Sequence, residues 1–272
     1  EHLEFGTKHD VDFVAVSFVR NAGDINTVRD LIPNDIKVIA KIELKAALDN
    51  IEEILDVADG VMVARGDLGV QLPLEQVPFV QKQILDAANK KGKISITATE
   101  MLQSMKSSYR PTRAEVTDIT NAILEGSDAV MLSAETSIGD NPNRVVEVMS
   151  LICSETDSKN DTSSLLSKEN TSEDSITTTL ARAAVQVANE IEAKAIVAFT
   201  ETGRTPLLIS NFRPQAEIIT FSTKNKTLNQ MNLLWGVVQY PMERKEHFSE
   251  MLKSANDFLI TERKYNKDDK VV

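Results

Sequence analysis

Short apolar runs recur through the first half of the chain, at 13–18, 38–42, 60–64, 94–98 and 129–132. Each reads as a strand followed by a turn or loop and then a helix-like segment. Apolar residues take helical spacing at 24–31, 51–56, 74–91, 113–124 and 142–155, which predicts helices there. Repeated strand-helix units imply a parallel sheet with covering helices, an α/β fold. Two helix starts are marked locally. Thr112 and Glu115 are spaced as a capping box, and Asn141 precedes Pro142, whose missing amide hydrogen costs nothing in a first turn.

From 156 to 174 the pattern collapses into polar, turn-favouring residues, which predicts a connection between domains spanning 1–155 and 175–272. Alternation then resumes. Helices are expected at 175–192, 204–210, 226–231 and 246–263, and strands at 195–199, 217–221 and 236–239. Residues 268–272 read as the entrance to another strand, so the second domain is expected to stop before its last strands.

Charge and cysteine content narrow the function classes. A net charge of −11 repels polyanions, and no lysine-arginine stripe with interleaved aromatics offsets it, so nucleic acid is an unfavourable partner. Cys153 is the sole cysteine, which excludes an intramolecular disulfide and a multi-cysteine zinc site. Its apolar neighbours predict a buried structural thiol. No stretch approaches the length of a transmembrane span and the first residues resemble no signal peptide. A cytoplasmic setting is the expectation. His2, His9 and His247 lie outside every candidate motif and are expected at the surface.

The chemistry concentrates at the carboxyl ends of the candidate strands. In Lys41-Ile42-Glu43, alternation sends the lysine and the glutamate to one side of an extended segment. Arg65-Gly66-Asp67-Leu68-Gly69 follows the next strand, where glycines permit tight turns and bare backbone amides. Glu43 and Asp67 offer hard oxygen ligands, suited to Mg2+ or Mn2+ rather than zinc. Lys41 places positive charge where a phosphoryl group in transfer needs it. The plainer alternative is a solvated Lys41–Glu43 pair, with Asp67 capping a helix. Thr99 ends a further strand, its hydroxyl either facing the site or tied to local backbone. Ser17, and then Ser133 with Glu135, occupy comparable positions. In the second domain, Thr200, Thr202, Gly203, Arg204 and Thr205 join a strand to a helix, offering hydroxyls and amides to an anion or forming only a helix cap.

Taken together, Lys41-Ile42-Glu43, Met62 through Gly69, Ala98 through Met105, Arg110 through Glu115 and Leu132 through Thr136 resemble the signature segments of pyruvate kinase, in order and spacing. The resemblance implies a partial (β/α)8 TIM barrel, its last five strands, followed by an α/β regulatory domain with a mainly parallel sheet. It implies transfer of a phosphoryl group from phosphoenolpyruvate to ADP, giving pyruvate and ATP. Glu43 and Asp67 would then ligate the divalent ion, and Lys41 would stabilise the phosphoryl group. Ala64, Arg65, Gly66 and Asp67 would receive the substrate carboxylate, Thr99 would lie by the enolate carbon, and Ser17 near the phosphate and K+ region. The loop at Thr200 through Thr205 would belong to a sugar-phosphate effector site, and a homo-oligomer, a tetramer in the family, is implied.

The first three barrel strands, a lid-like domain and the main K+ ligands are expected to be missing, leaving a fragment inactive by itself. Three positions depart from the family pattern: Glu100 stands for glutamine, Ala134 for glycine, and Leu44 through Ala47 for a stretch with asparagine and glycine. Two other classes fit parts of the pattern. One is a metabolite-binding regulatory module using the Thr200 loop; the other is a different metal-dependent phosphoenolpyruvate or enolate barrel enzyme.

Overall fold

A computed structural model describes residues 1–160 and 176–272. The chain divides into two compact units, Glu1–Asp161 and Thr162–Val272. In the first, β1 (Phe13–Val16), β2 (Lys37–Ile42), β3 (Gly60–Ala64), β4 (Ile94–Ala98) and β5 (Ala129–Met131) form one parallel sheet in sequence order. The central strands β3 and β4 are buried throughout, whereas every residue of β1 and β5 retains some exposure. At Gly60 the strands leave no room for a side chain, since an added Cβ would lie 2.6 Å from the Ile94 carbonyl oxygen.

The helix Val77–Lys90 buries Val77, Gln81, Ile84, Leu85, Ala87 and Ala88, the stripe that covers the sheet. It starts later than the spacing predicts because a 3-10 turn, Leu74–Gln76, and Pro78 precede its regular part. The expected helix at 24–31 is shifted to Ala22–Arg29, since Asn21 accepts a hydrogen bond from the Asp24 amide and sets the start. The Thr112–Glu115 capping box forms as expected and opens the helix Arg113–Leu124.

Asp59, just before β3, ties neighbouring elements together. Its carboxylate accepts from the Val38 amide and from Arg29, and Lys37 lies 3.4 Å away. Burial opposes its ionisation, but these partners outweigh it and hold the carboxyl below the ordinary value.

In the second unit β6 (Ala195–Phe199), β7 (Glu217–Ser222) and β8 (Val237–Pro241) form a second parallel sheet. Phe221, Tyr240 and Phe258 pack with ring centroids 4.4–6.1 Å apart, anchoring the helix Phe248–Thr261. The chain's last residues pair beside β6. The Val272 amide donates to the Ala195 carbonyl at 3.0 Å, and the Val197 amide to the Val272 carbonyl at 2.8 Å.

Eight parallel strands are present among the described residues, five in the first sheet and three in the second. They divide because the polar stretch after Lys159 interrupts the alternation, and the strands beyond it pair among themselves. The expected connection at 156–174 also begins later, since the helix Pro142–Lys159 runs through its first residues; 161–175 lie outside the described residues. Cys153 is half-buried rather than buried, and burial, followed by the neighbouring Asp157, raises its thiol above the ordinary value. All three histidines are exposed.

Candidate active site

Parallel register places Ser17, Glu43, Arg65 and Thr99 just past the carboxyl ends of β1 to β4. The β1 and β2 ends interlock directly. Lys41 Nζ lies 2.6 Å from Glu43 Oε1 and donates to Ser17 Oγ at 2.9 Å, while Glu43 Oε2 accepts from the Phe18 amide at 2.6 Å. The pair is not the solvated one of the plainer alternative: Glu43 is 1% exposed and Lys41 25%. A carboxylate so buried needs its charge matched, and Lys41 supplies the match while keeping one face open.

Backbone strain marks the same ends. Phe18, Thr99 and Glu100 have φ of 57°, 69° and 57°, a region that costs a non-glycine residue of order 1–3 kcal/mol. Each strained turn is held by the strand beside it. Glu43, following β2, takes the Phe18 amide after β1. Arg65, following β3, donates from Nε to the Ala98 carbonyl at 3.3 Å and from Nη2 to the Thr99 carbonyl after β4. Thr99 Oγ1 accepts from the Gly66 amide at 2.9 Å and donates to the Ala98 carbonyl at 2.6 Å. This hydroxyl is tied to local backbone, as the plainer reading has it, and its bonds join the ends of β3 and β4.

Arg65-Gly66-Asp67-Leu68-Gly69 does not form the open turn its glycines suggest. It opens a helix, Arg65–Gln71, because Leu68 is fully buried and pins the segment against the sheet. Asp67 is exposed in the first turn, where a negative charge is favoured. Arg65 turns inward, its side chain 9% exposed, with Nη1 2.5 Å from Asp118 Oδ2. Asp118 carries no sequence signal of a site, since its partner is 53 residues away. Glu115, three residues earlier on the same helix, accepts from the Ser104 amide and hydroxyl and from Thr112. Burial pushes Glu115 upward, but those bonds prevail and its carboxyl lies below the ordinary value.

Past β5, Glu135 is fully buried and accepts from the Leu102 and Ser133 amides. Ser133 Oγ is buried without a hydrogen-bond partner. Ala134 opens a short helix, Ala134–Ser137, and is not among the residues with positive φ, so alanine fits where the resemblance expects glycine.

Among the described residues no group of three or more His, Cys, Asp and Glu side chains is placed to hold a metal ion. Of the two carboxylates expected to hold such an ion, Glu43 is engaged at Oε1 by Lys41 and at Oε2 by the Phe18 amide, and Asp67 is exposed.

In the second unit, Thr200 Oγ1 accepts from the Gly203 amide at 2.9 Å and the Thr202 amide at 3.4 Å. Gly203, with φ of 80°, caps the helix Arg204–Asn211. Thr200 also lines a cleft of about 130 Å³ with Glu201, Phe221, Thr223, Met242 and Glu243. Arg204 and Thr205 lie in the first turn of that helix and are not among the cleft's lining residues. No helix among the described residues is long and apolar enough to cross a membrane.

Both units of the chain match known proteins. Residues 1–146 match the family model of the pyruvate kinase barrel domain, and 178–272 that of the pyruvate kinase alpha/beta domain. The chain is 40% identical over 260 residues to pyruvate kinase of Sporosarcina psychrophila, covering 94% of the chain and 44% of the relative. It is 39% identical over 279 residues to pyruvate kinase of Dictyostelium discoideum, covering 99% and 55%. A crystal structure of a pyruvate kinase from Cryptosporidium parvum matches with a TM-score of 0.95 at 36% identity, over 99% of the chain and 57% of that structure's chain.

The chain spans about half the length of the curated relatives it matches. Both domain models find their match, over 1–146 and 178–272, and alignment extends over 94–99% of the chain.

Proposed function

The chain belongs to the pyruvate kinase family, and on that premise we propose that it transfers the phosphoryl group of phosphoenolpyruvate to ADP, giving pyruvate and ATP. The observation that carries the proposal is the cluster of Lys41, Glu43 and Ser17, a buried carboxylate and a partly open ammonium at adjacent strand ends. Lys41 stabilises charge on the phosphoryl oxygens as the bond to the enol oxygen breaks and the bond to the ADP β-phosphate forms. The enolate left behind takes a proton at carbon, on the side where Thr99 lies. Backbone from Ala64 through Asp67, opening a helix, receives the substrate carboxylate.

Glu43 and Asp67 would hold Mg2+ or Mn2+. Such an ion supplies charge neutralisation to the substrate oxygens and a template for their alignment. K+ is the monovalent ion that the family assignment implies, with Ser17 beside it. We further assign the Thr200 through Thr205 loop to a sugar-phosphate effector, assembly to a homo-oligomer, and location to the cytoplasm.

A coupled assay varying phosphoenolpyruvate and ADP, with Mg2+ and K+, tests the assignment. Lys41→Met should lower kcat at least 100-fold with a smaller change in KM, because its charge counts most in the transition state. Unchanged kcat would remove Lys41 from the chemistry. Calorimetric titration with Mn2+ tests the ion site separately. Glu43→Gln and Asp67→Asn should each weaken binding about tenfold or more, comparable to losing a ligand-shell partner.

A further inference from the structure

We propose that Asp118 is a positioning residue: acting through Arg65, it holds the left-handed turn at Thr99 and Glu100 in the geometry that meets substrate. The proposal rests on the assignment of Thr99 to the substrate site, whereas the geometry of the turn stands independently of that assignment.

The helix Arg113–Leu124 is fixed at its start by a capping box, which sets its rotation. Glu115 and Asp118, three residues apart, share a face. Both reach toward segments at the carboxyl ends of neighbouring strands. Glu115 holds Ser104, in the loop after β4. Asp118 holds Arg65 Nη1, just past β3. The other donors of that guanidinium are committed to the turn: Nε to the Ala98 carbonyl, and Nη2 to the Thr99 carbonyl and to Met101 Sδ at 3.4 Å.

A guanidinium whose side chain is 9% exposed keeps its place only with a matched counter-charge. Asp118, 40% exposed, provides it from the rim, so its loss opens no cavity in the core. Neutralising Asp118 frees Arg65 to turn toward water, and the Ala98 and Thr99 carbonyls lose their shared donor. Thr99 Oγ1, aligned by Gly66 and Ala98, then loses its fixed direction. Asp118 touches no reacting atom; its effect on the reaction passes through the turn.

Two readouts test this on the full chain. The first needs no activity. Amide hydrogen exchange at 98–102 should quicken at least tenfold in Asp118→Asn and return toward the parent value in Asp118→Glu, which restores the charge. Unchanged exchange in Asp118→Asn overturns the proposal. If the parent chain fails to phosphorylate ADP, the functional assignment falls, yet this readout still decides the role of Asp118.

The second is kinetic. Asp118→Asn should lower kcat/KM for phosphoenolpyruvate ten- to a hundredfold, mainly through kcat. Adding Glu100→Gly should restore at least threefold, because glycine takes positive φ freely and the turn then needs less holding. A variant within twofold of the parent, or no restoration by Glu100→Gly, overturns the proposal. Should Asp118→Asn not fold, Arg65→Lys is measured in the same way, since lysine cannot reproduce the planar fork that spans both carbonyls. Parent-like exchange and kinetics in that variant overturn the proposal, and faster exchange at 98–102 supports it.

Discussion

Replacing Glu43 by glutamine keeps the shape of the side chain and removes its charge. The glutamine carbonyl can still accept from the Phe18 amide, so what is lost is the charge on that bond and the ion pair with Lys41. Removing one partner of a fully buried pair costs about 3–5 kcal/mol. Lys41 is a quarter exposed, and water takes up part of its charge, which brings the expected cost to about 2–3 kcal/mol. For a protein of this size that is a fall of about 4–12 °C in the unfolding midpoint. The pairing is isolated by a double-mutant cycle with Lys41→Met, read by urea unfolding followed by circular dichroism in the absence of divalent ions. A coupling of about 1–3 kcal/mol is expected, the double variant being less damaged than the two singles added together. Additive costs, or a Glu43→Gln chain as stable as the parent, would refute the claim that this carboxylate is held buried by Lys41.

Three further outcomes are expected from the packing and the titrations. Asp59→Asn should cost about 1.5–3 kcal/mol at neutral pH; because the folded carboxyl lies below its ordinary value, that contribution is full above about pH 4 and is lost as pH falls through the depressed value. Unfolding curves for parent and variant should therefore converge in acid. Gly60→Ala should destabilise by about 1–3 kcal/mol, since the new methyl meets the Ile94 carbonyl at 2.6 Å and Ile39 Cδ1 at 2.9 Å, and neither can move freely inside a sheet. Tyr265 is pushed up to about 12 by burial and by Glu217. Tyr265→Phe should accordingly remove a tyrosinate absorbance step near that pH, and parent stability should fall as pH rises from about 10, where the unfolded chain ionises first.

All eight strands can be read from the chain because their short apolar runs are bounded by polar turns. The capping box is legible for the same reason: its partners are three residues apart. Lys41 and Glu43 can be paired from alternation alone. What sequence conceals depends on distance or on backbone state. The helix Arg65–Gln71 is hidden by two glycines, although Leu68 pins it. The helix His2–Lys8 buries no residue and so carries no apolar stripe to detect. The left-handed turns at Phe18, Thr99 and Glu100 use neither glycine nor asparagine, the residues that advertise such a backbone. They persist because Glu43 and Arg65 hold them from neighbouring strands, and Arg65 points at Asp118 for reasons visible only in three dimensions.

The proposed reaction moves phosphorus from phosphoenolpyruvate to ADP, and 31P NMR tracks that atom directly. With the chain, phosphoenolpyruvate, ADP, Mg2+ and K+ in one tube, the phosphoenolpyruvate resonance should decline as the γ-phosphate resonance of ATP grows one for one, and Lys41→Met should hold both still. An unchanged phosphoenolpyruvate resonance, or growth of inorganic phosphate in place of ATP, would contradict it.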